Sequence, residues 1–219
     1  HAFSAPEVWY IAKVEKLPVE ELVARLRAAG LESIPGGGAE VLEDETRKRI
    51  LSRAKASTGQ WLAVHRAAHR LGMRTTATMM FGVGEPISAR VEHFERVREL
   101  QDETSGFTAF IPWTFQEENT ALEGEVEPAG GYDYLRTLAI SRLALDNVTH
   151  VQGSWVTQGP KIGQLSLFFG ADDLGSIMLE ENVVAAAGVS WRMTQGEMER
   201  LIASAGFTPR QRRTLYDPL

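Results

Sequence analysis

At 219 residues and 43% hydrophobic, the chain is long enough to bury one full core, and a single domain is the simplest reading. A formal charge of −6, with no Lys and Arg cluster interleaved with aromatics, offers no basic field to a nucleic-acid backbone. The absence of cysteine excludes disulfides, thiolate zinc sites, a cysteine nucleophile and a cysteine-ligated iron–sulfur cluster within these residues.

Ser4-Ala5-Pro6-Glu7 places a capping serine three residues before a glutamate, with proline in the first turn, and predicts a helix through about Glu15. Val19, Leu22, Val23, Leu26 and Ala29 follow as one apolar stripe stopped by Gly30, so a helical hairpin precedes the first strand. Strand character then recurs over residues 33–40, 75–85, 107–116 and 151–158, each run ending in small or polar residues. The segments between carry helical spacing: 46–51, 61–71 with Trp61, Val64, Ala68 and Leu71, 88–101 with Val91, Phe94, Val97 and Leu100, 134–145, and 160–169. Pro112 is expected to stop the third strand. Residues 117–131 form a long loop, a candidate lid.

After a polar loop and short strand over 171–178, Thr194 and Glu197 form a capping box for a last helix. About five strands, each with its helix, predict an α/β fold with the (β/α) repetition of a TIM-type barrel. Five units cannot close the usual eight, so the sheet is open or the remaining units precede His1. No apolar run nears the roughly 20 residues of a membrane span, and the first residues lack signal-peptide regions, so a cytoplasmic location is expected. A chain that starts at a histidine, already beside a helix cap, reads as the remainder of something longer.

The chemistry of such a fold gathers at the strand ends. Gly36, Gly37 and Gly38 permit positive φ and close backbone approach to a ligand, with Glu40 beside them as a hydrogen-bond acceptor. The same residues read equally well as a tight turn with a solvated carboxylate. Gly82-Val83-Gly84-Glu85 has that shape too, with the plain turn favoured. Trp113 and Gln116 at one strand end, and Trp155, Thr157 and Gln158 at the next, combine ring-stacking surface with hydroxyl and amide groups; each tryptophan alone reads as core. His65 and His69 stand four apart without a third ligand and read as structural. Asp172 with Asp173, and Glu180 with Glu181, are adjacent carboxylates that ordinarily diverge, and no metal site is expected from them.

Residues 34–40, 76–82, 106–112 and 170–175 together resemble the radical S-adenosylmethionine enzymes of futalosine-dependent menaquinone synthesis and deazaflavin cofactor synthesis. The resemblance covers nearly the whole chain. Within that group, residues 113–116 and 154–160 are most similar to the branch that cyclises dehypoxanthine futalosine, whereas the sister aminofutalosine synthases differ there. The resemblance implies a reduced 4Fe–4S cluster that cleaves S-adenosylmethionine, hydrogen abstraction from the substrate ribose, attack on the benzoate ring, and an electron donor such as flavodoxin or ferredoxin.

It further implies that Gly36, Gly37, Gly38, Glu40, Arg47, Thr78 and Gly82 serve the cofactor, Glu40 near its ribose and Arg47 on its carboxylate. Trp113, Gln116, Trp155, Thr157, Gln158 and Asp173 would line a small nucleoside substrate. The family's three cluster cysteines are absent. Residues 1–219 are therefore expected to be the C-terminal portion of such a barrel, about strands 4 to 8, with a helical extension over about 180–219. The natural enzyme is expected to be longer, and this portion inactive by itself. A cofactor-free barrel enzyme working through Glu40, Glu85 or Asp173, and a non-catalytic binding fragment, are the competing readings.

Overall fold

The computed structural model describes residues 1–50, 55–178, 183–189, 191–217 and 219. Capping chemistry sets its first half. Ser4 donates its backbone N–H to Glu7 Oε2 at 2.7 Å, so α1 (Ala5–Glu15) begins with the predicted reciprocal box. α2 (Val19–Ala28) follows after the left-handed Lys16, and both helices lay Val8, Ala12, Leu22 and Val23 against Trp61 and Val64 of α4 (Thr58–Arg70). α4 starts three residues before the predicted Trp61, because Ser57 and Gln60 form a second capping box there. Between them lie β1 (Ser33–Ile34) and α3 (Asp44–Ile50); the predicted helix end at Leu51 lies outside the described residues.

β2 (Arg74–Phe81), α5 (Ile87–Thr104), β3 (Phe107–Thr114), α6 (Gly131–Ala144) and β4 (His150–Val151) complete a parallel sheet in the order β1-β2-β3-β4. Helical crossovers between sequential parallel strands are the wiring of a (β/α) barrel, as the repeat predicts. A single parallel bridge, Gln152 to Asp173, extends the order by one position in place of the predicted short strand. Alternation along the strands separates two faces. Ile34, Ala77, Met79, Phe81, Phe110 and Val151 are buried under Trp61, Phe94, Val97 and Leu138, whereas Thr76, Thr78, Ile111, Trp113 and Gln152 lie half-buried on the opposite, lumen-side face.

Two predicted boundaries move. Pro112 lies inside β3, opposite Met79. Phe110 O accepts from Gln152 N–H, so Phe110, and with it Pro112 two residues on, turns its backbone toward β4, which has already ended. Pro112 thus lacks a donor where no ladder partner exists. The strand character expected over 151–158 ends at Val151, because Gly153 N–H turns to Asp173 O at 2.8 Å and Ser154 N–H to the buried Tyr134 phenol at 2.6 Å. Trp155 therefore opens α7 (Trp155–Ser166). Gly159, at φ 79°, breaks that helix, and Pro160 starts its second segment, a first-turn proline as predicted.

The 117–130 loop is seated on the end of β2, with Ala129 over Gly82 and Val126 beside Gly84. α8 (Val183–Ala186) and α9 (Gln195–Ser204) follow; Glu180 and Glu181 lie outside the described residues. The Thr194–Glu197 box forms, and Met198, Leu201 and Ile202 pack on Trp155, Leu174 and Met193. Among the described residues no helix is long and apolar enough to cross a membrane.

His65, His69 and His93, three of the five histidines, are core groups. His65 tilts against Trp61 at 3.9 Å between centroids, and His69 lies between Thr104 Oγ1 and Thr75 Oγ1, each at 2.6 Å. His93 Nδ1 accepts the Leu42 N–H at 2.9 Å, tying α5 to the segment after β1. Burial holds His69 down to about 4, and burial followed by the Arg47 charge holds His93 down to about 3. An unfolded imidazole takes up its proton near 6.5, so the unfolded chain binds more protons as pH falls below 7, and stability declines. Unfolding free energy is expected to fall from pH 7 to pH 5 by up to about 1.4 kcal/mol per pH unit for each of these buried histidines, read as a steadily dropping melting temperature. His93→Gln should flatten it; a melting temperature level across that range would contradict burial of neutral rings.

Candidate functional site

The segment after β1 is held from both sides. Gly36 N–H donates to Thr76 Oγ1 at 2.9 Å, and Thr78 Oγ1 donates to Gly36 O at 2.8 Å. A Cβ on Gly36 would stand 2.7 Å from Thr76 O, so only glycine permits this approach to β2. Gly38, at φ 81°, fits under Pro6, whereas the Cβ direction of Gly37 has no atom within 4 Å. The sequence leaves open whether the triglycine is a turn or a cradle. Two of its glycines are required by packing, and Gly37 faces open space.

Arg47 lies beneath, almost wholly buried, and donates to the carbonyls of Gly38, Ala39, Val41 and Ala56. Burial lowers its pKa, against the raising influence of Glu40 and then Asp44. Both terminal nitrogens, expected from the resemblance to meet a cofactor carboxylate, are engaged by backbone here, and Arg47 holds the loop after β1. Because a trans peptide points its N–H opposite its carbonyl, the Glu40 amide faces away from Arg47.

Glu40 adopts the left-handed region at φ 45°, which costs a non-glycine residue about 1–2 kcal/mol. Its carbonyl accepts Met80 N–H at 2.9 Å, and its carboxylate, 10% exposed, meets Lys55 Nζ at 3.1 Å. Met80 is in turn opposite Trp113, so Glu40, Met80 and Trp113 stand side by side across three strand ends, and Thr78 shares the face of Met80 one alternation below.

Gly82 turns at φ 85° with Ala129 over it. Its N–H and that of Val83 donate to Glu85, whose side chain is fully buried and pairs with Arg90 Nε at 2.7 Å. Arg90 continues to Asp133 at 2.9 Å and Thr137 Oγ1 at 2.9 Å, over the Phe81 ring. The exposed carboxylate that the turn reading gives Glu85 is replaced by a buried anchor.

At the end of β3, Trp113 is half-buried against Met80, Val41 and Val83. Gln116 Nε2 donates to Thr114 O at 3.0 Å and to Thr114 Oγ1 at 2.9 Å, and Gln158 Nε2 donates to that same Oγ1 at 2.5 Å. Gln116 and Gln158, far apart in sequence, are thus brought together. Trp155 is not: it is 1% exposed, packed on Leu174 and Met193, with its buried Nε1 lacking a protein partner. Thr157 Oγ1 meets Ser154 Oγ at 2.9 Å behind it. Asp173 is bound by Arg212, by Tyr216 Oη at 2.6 Å and by Gly175 N–H at 3.0 Å, so the C-terminal tail already occupies it. Both Trp155 and Asp173 therefore sit as structural anchors here, not as open walls.

Sequence reasoning passed over Thr114, Lys55 and the Arg90–Asp133 pair. Strand parity carried the only signal for Thr114, which alternates to the buried side between Trp113 and Phe115. Among the described residues, no group of three or more His, Cys, Asp or Glu could hold a metal ion.

The half-open (β/α) sheet thus carries a glycine loop, a strained glutamate and an aromatic–amide rim toward the carboxyl ends of its strands, where the chemistry of (β/α) barrels gathers. Residues 104–219 match the family described as the CofH/MqnC C-terminal region, and the chain belongs to that family. It is 49% identical over its whole length to cyclic dehypoxanthine futalosine synthase of Streptomyces coelicolor, covering 54% of that protein. It is also 49% identical over 99% of its length to the same-named protein of Halalkalibacterium halodurans, covering 58% of it. Aminodeoxyfutalosine synthase of Thermus thermophilus is 42% identical over 98% of the chain, which covers 59% of that relative. The chain spans about half the length of the curated relatives it matches.

Methylornithine synthase (PylB) superposes with a TM-score of 0.63 at 16% identity, over 94% of this chain and 63% of that one. HydG, a maturase of the FeFe-hydrogenase, gives 0.67 at 13% identity, over 86% and 43%. Both show the fold, of which this chain forms part.

Replacing Arg47 by Leu would strip four carbonyls of a charged donor and is expected to lower unfolding free energy by about 3 kcal/mol. Denaturant unfolding checks this, and an unshifted midpoint would remove Arg47 from its loop-holding role.

Proposed function

We propose that the full-length protein is a radical S-adenosylmethionine cyclase that converts dehypoxanthine futalosine to cyclic dehypoxanthine futalosine in the futalosine route to menaquinone. The observation that carries this reading is the similarity to the cyclic synthases across the entire chain, higher than to the aminodeoxyfutalosine synthase. On this reading the enzyme works in the cytoplasm on a small nucleoside, with electrons from a flavodoxin or ferredoxin.

The donor set after β1 suits a sulfonium nucleoside: the Glu40 carboxylate for hydroxyl or ammonium hydrogens, with Gly37, Thr78 and Gly82 allowing close approach. Lys55, half-exposed, is the partner a ligand would displace from Glu40. When bound, S-adenosylmethionine and a reduced 4Fe–4S cluster supply a carbon radical able to take an unactivated ribose hydrogen. The cluster does not fit these residues, which contain no cysteine, and no step is assigned to it here. The chain's own work is to orient and to exclude water. Trp113 offers a ring face, Gln116 and Gln158 offer amide oxygens, and the 117–130 loop covers the β2 end. Trp155 packs on Leu174 and Met193, Thr157 meets Ser154, and Asp173 holds the C-terminal tail, so these three act on the fold around α7.

The test is anaerobic reconstitution of the full-length protein with reductant, S-adenosylmethionine and dehypoxanthine futalosine. The expected result is 5′-deoxyadenosine together with the cyclic product. No cleavage of S-adenosylmethionine would overturn the reading, and turnover of the aminodeoxyfutalosine synthase substrate instead would reassign it.

In that protein Glu40→Gln is expected to weaken S-adenosylmethionine binding by about 1.5–3 kcal/mol, read by calorimetry. Unchanged affinity would release Glu40 from cofactor contact. Trp155→Ala, by contrast, should act on the fold, lowering stability by about 3–5 kcal/mol; a full-stability variant with impaired turnover would restore Trp155 to the substrate wall.

A further inference from the structure

Thr114 is fully buried, yet its hydroxyl gathers two side-chain amides from opposite directions. Gln116 reaches back from the loop after β3, and Gln158 descends from the first turns of α7, so the two meet at one oxygen, at 2.9 and 2.5 Å. A hydroxyl oxygen has two lone pairs, and these two N–H groups fill both. Gln116 Nε2 uses its second hydrogen on Thr114 O at 3.0 Å. An amide is planar, so turning both nitrogens inward turns both Oε1 atoms the other way. Neither oxygen has a protein partner among the described residues, and both side chains are only half-buried.

We infer that Thr114 is a positioning residue: its hydroxyl ties the Gln116 and Gln158 amides to one point at the end of β3, so that their outward ends meet the hydroxyl groups of a nucleoside sugar at a fixed spacing. Without that tie the two amides move independently, and sugar hydroxyls, which both donate and accept, lose two partners held at a set distance. The inference rests on the proposed radical cyclase reading for its substrate and adds the residue that sets its specificity.

The test uses the full-length reconstituted enzyme, comparing Thr114→Val, which keeps the shape and removes the oxygen, with Thr114→Ser, which keeps the oxygen. Thr114→Val is expected to raise KM for dehypoxanthine futalosine tenfold or more, with substrate-free cleavage of S-adenosylmethionine unchanged, whereas Thr114→Ser stays within about threefold of wild type. Should Thr114→Val not fold, Thr114→Ala against Thr114→Ser provides the same contrast. Equal KM in the Val or Ala variant and wild type, or equal damage in the Ser variant, overturns the positioning role while leaving the cyclase reading intact. An unsubstituted enzyme that cleaves no S-adenosylmethionine overturns both.

Discussion

Where a parallel strand ends, its last peptide groups leave the ladder and must find other partners, since a buried backbone group without one costs about as much as a lost hydrogen bond. In this chain the partners are side chains. Arg47 takes the carbonyls after β1, Glu85 the amides after β2, Gln116 a carbonyl at the end of β3, and Tyr134 the amide of Ser154 after β4. Each strand end is consequently a small polar assembly rooted in the helix layer. That is why the rim can hold functional groups without becoming a floppy fringe.

The same obligation explains what was legible in the sequence. Helix starts at Ser4 and Thr194 and the strand–helix alternation depend on neighbours within four residues, so spacing reveals them. Pro112 misled because its cost depends on whether β4 runs alongside, which is a fact of another strand. Residues 151–158 misled because Gly153 and Ser154 are drawn off by Asp173 and Tyr134, one beyond α7 and one in α6. Arg47, Glu85 and Asp173 all look like exposed charge in one dimension. Asp173 is held by tail residues up to 43 positions away and Arg47 by the carbonyls of a loop folded over it, while Glu85, whose partners lie within five residues, is buried through the way its turn packs on α5. That the glycines, Glu40, Thr78 and Trp113 lie on the strands or in the turns after them was legible, because the glycine turns follow directly on the β-prone runs.

Burying charge on such assemblies is expensive unless every charge has company. Glu85 is fully buried but faces two amides and Arg90, and Arg90 faces Asp133, Thr137 and the Phe81 ring. Arg47 has four carbonyls and the nearby Glu40 and Asp44 charges. Glu40 differs. It has one half-exposed lysine, and its backbone is held in a conformation that glycine would adopt with less strain. Among these groups it is the carboxylate whose satisfaction depends on a partner easily replaced, which is the property a ligand-binding group needs.

Strand parity then divides labour across the sheet. On the helix side, Phe81, Phe110, Tyr134 and Leu138 leave no room for adjustment, so β2 and β3 are fixed relative to one another. On the other face, side chains two residues apart project from those same rigid strands toward half-open space. Met80 lies between Glu40 and Trp113, an apolar divider separating a carboxylate-and-glycine side from an aromatic-and-amide side. The two sides are thus held apart by a rigid spacer, at roughly the 4.8 Å interval of neighbouring strands, so a shift of one cannot occur without a shift of the ladder that carries both.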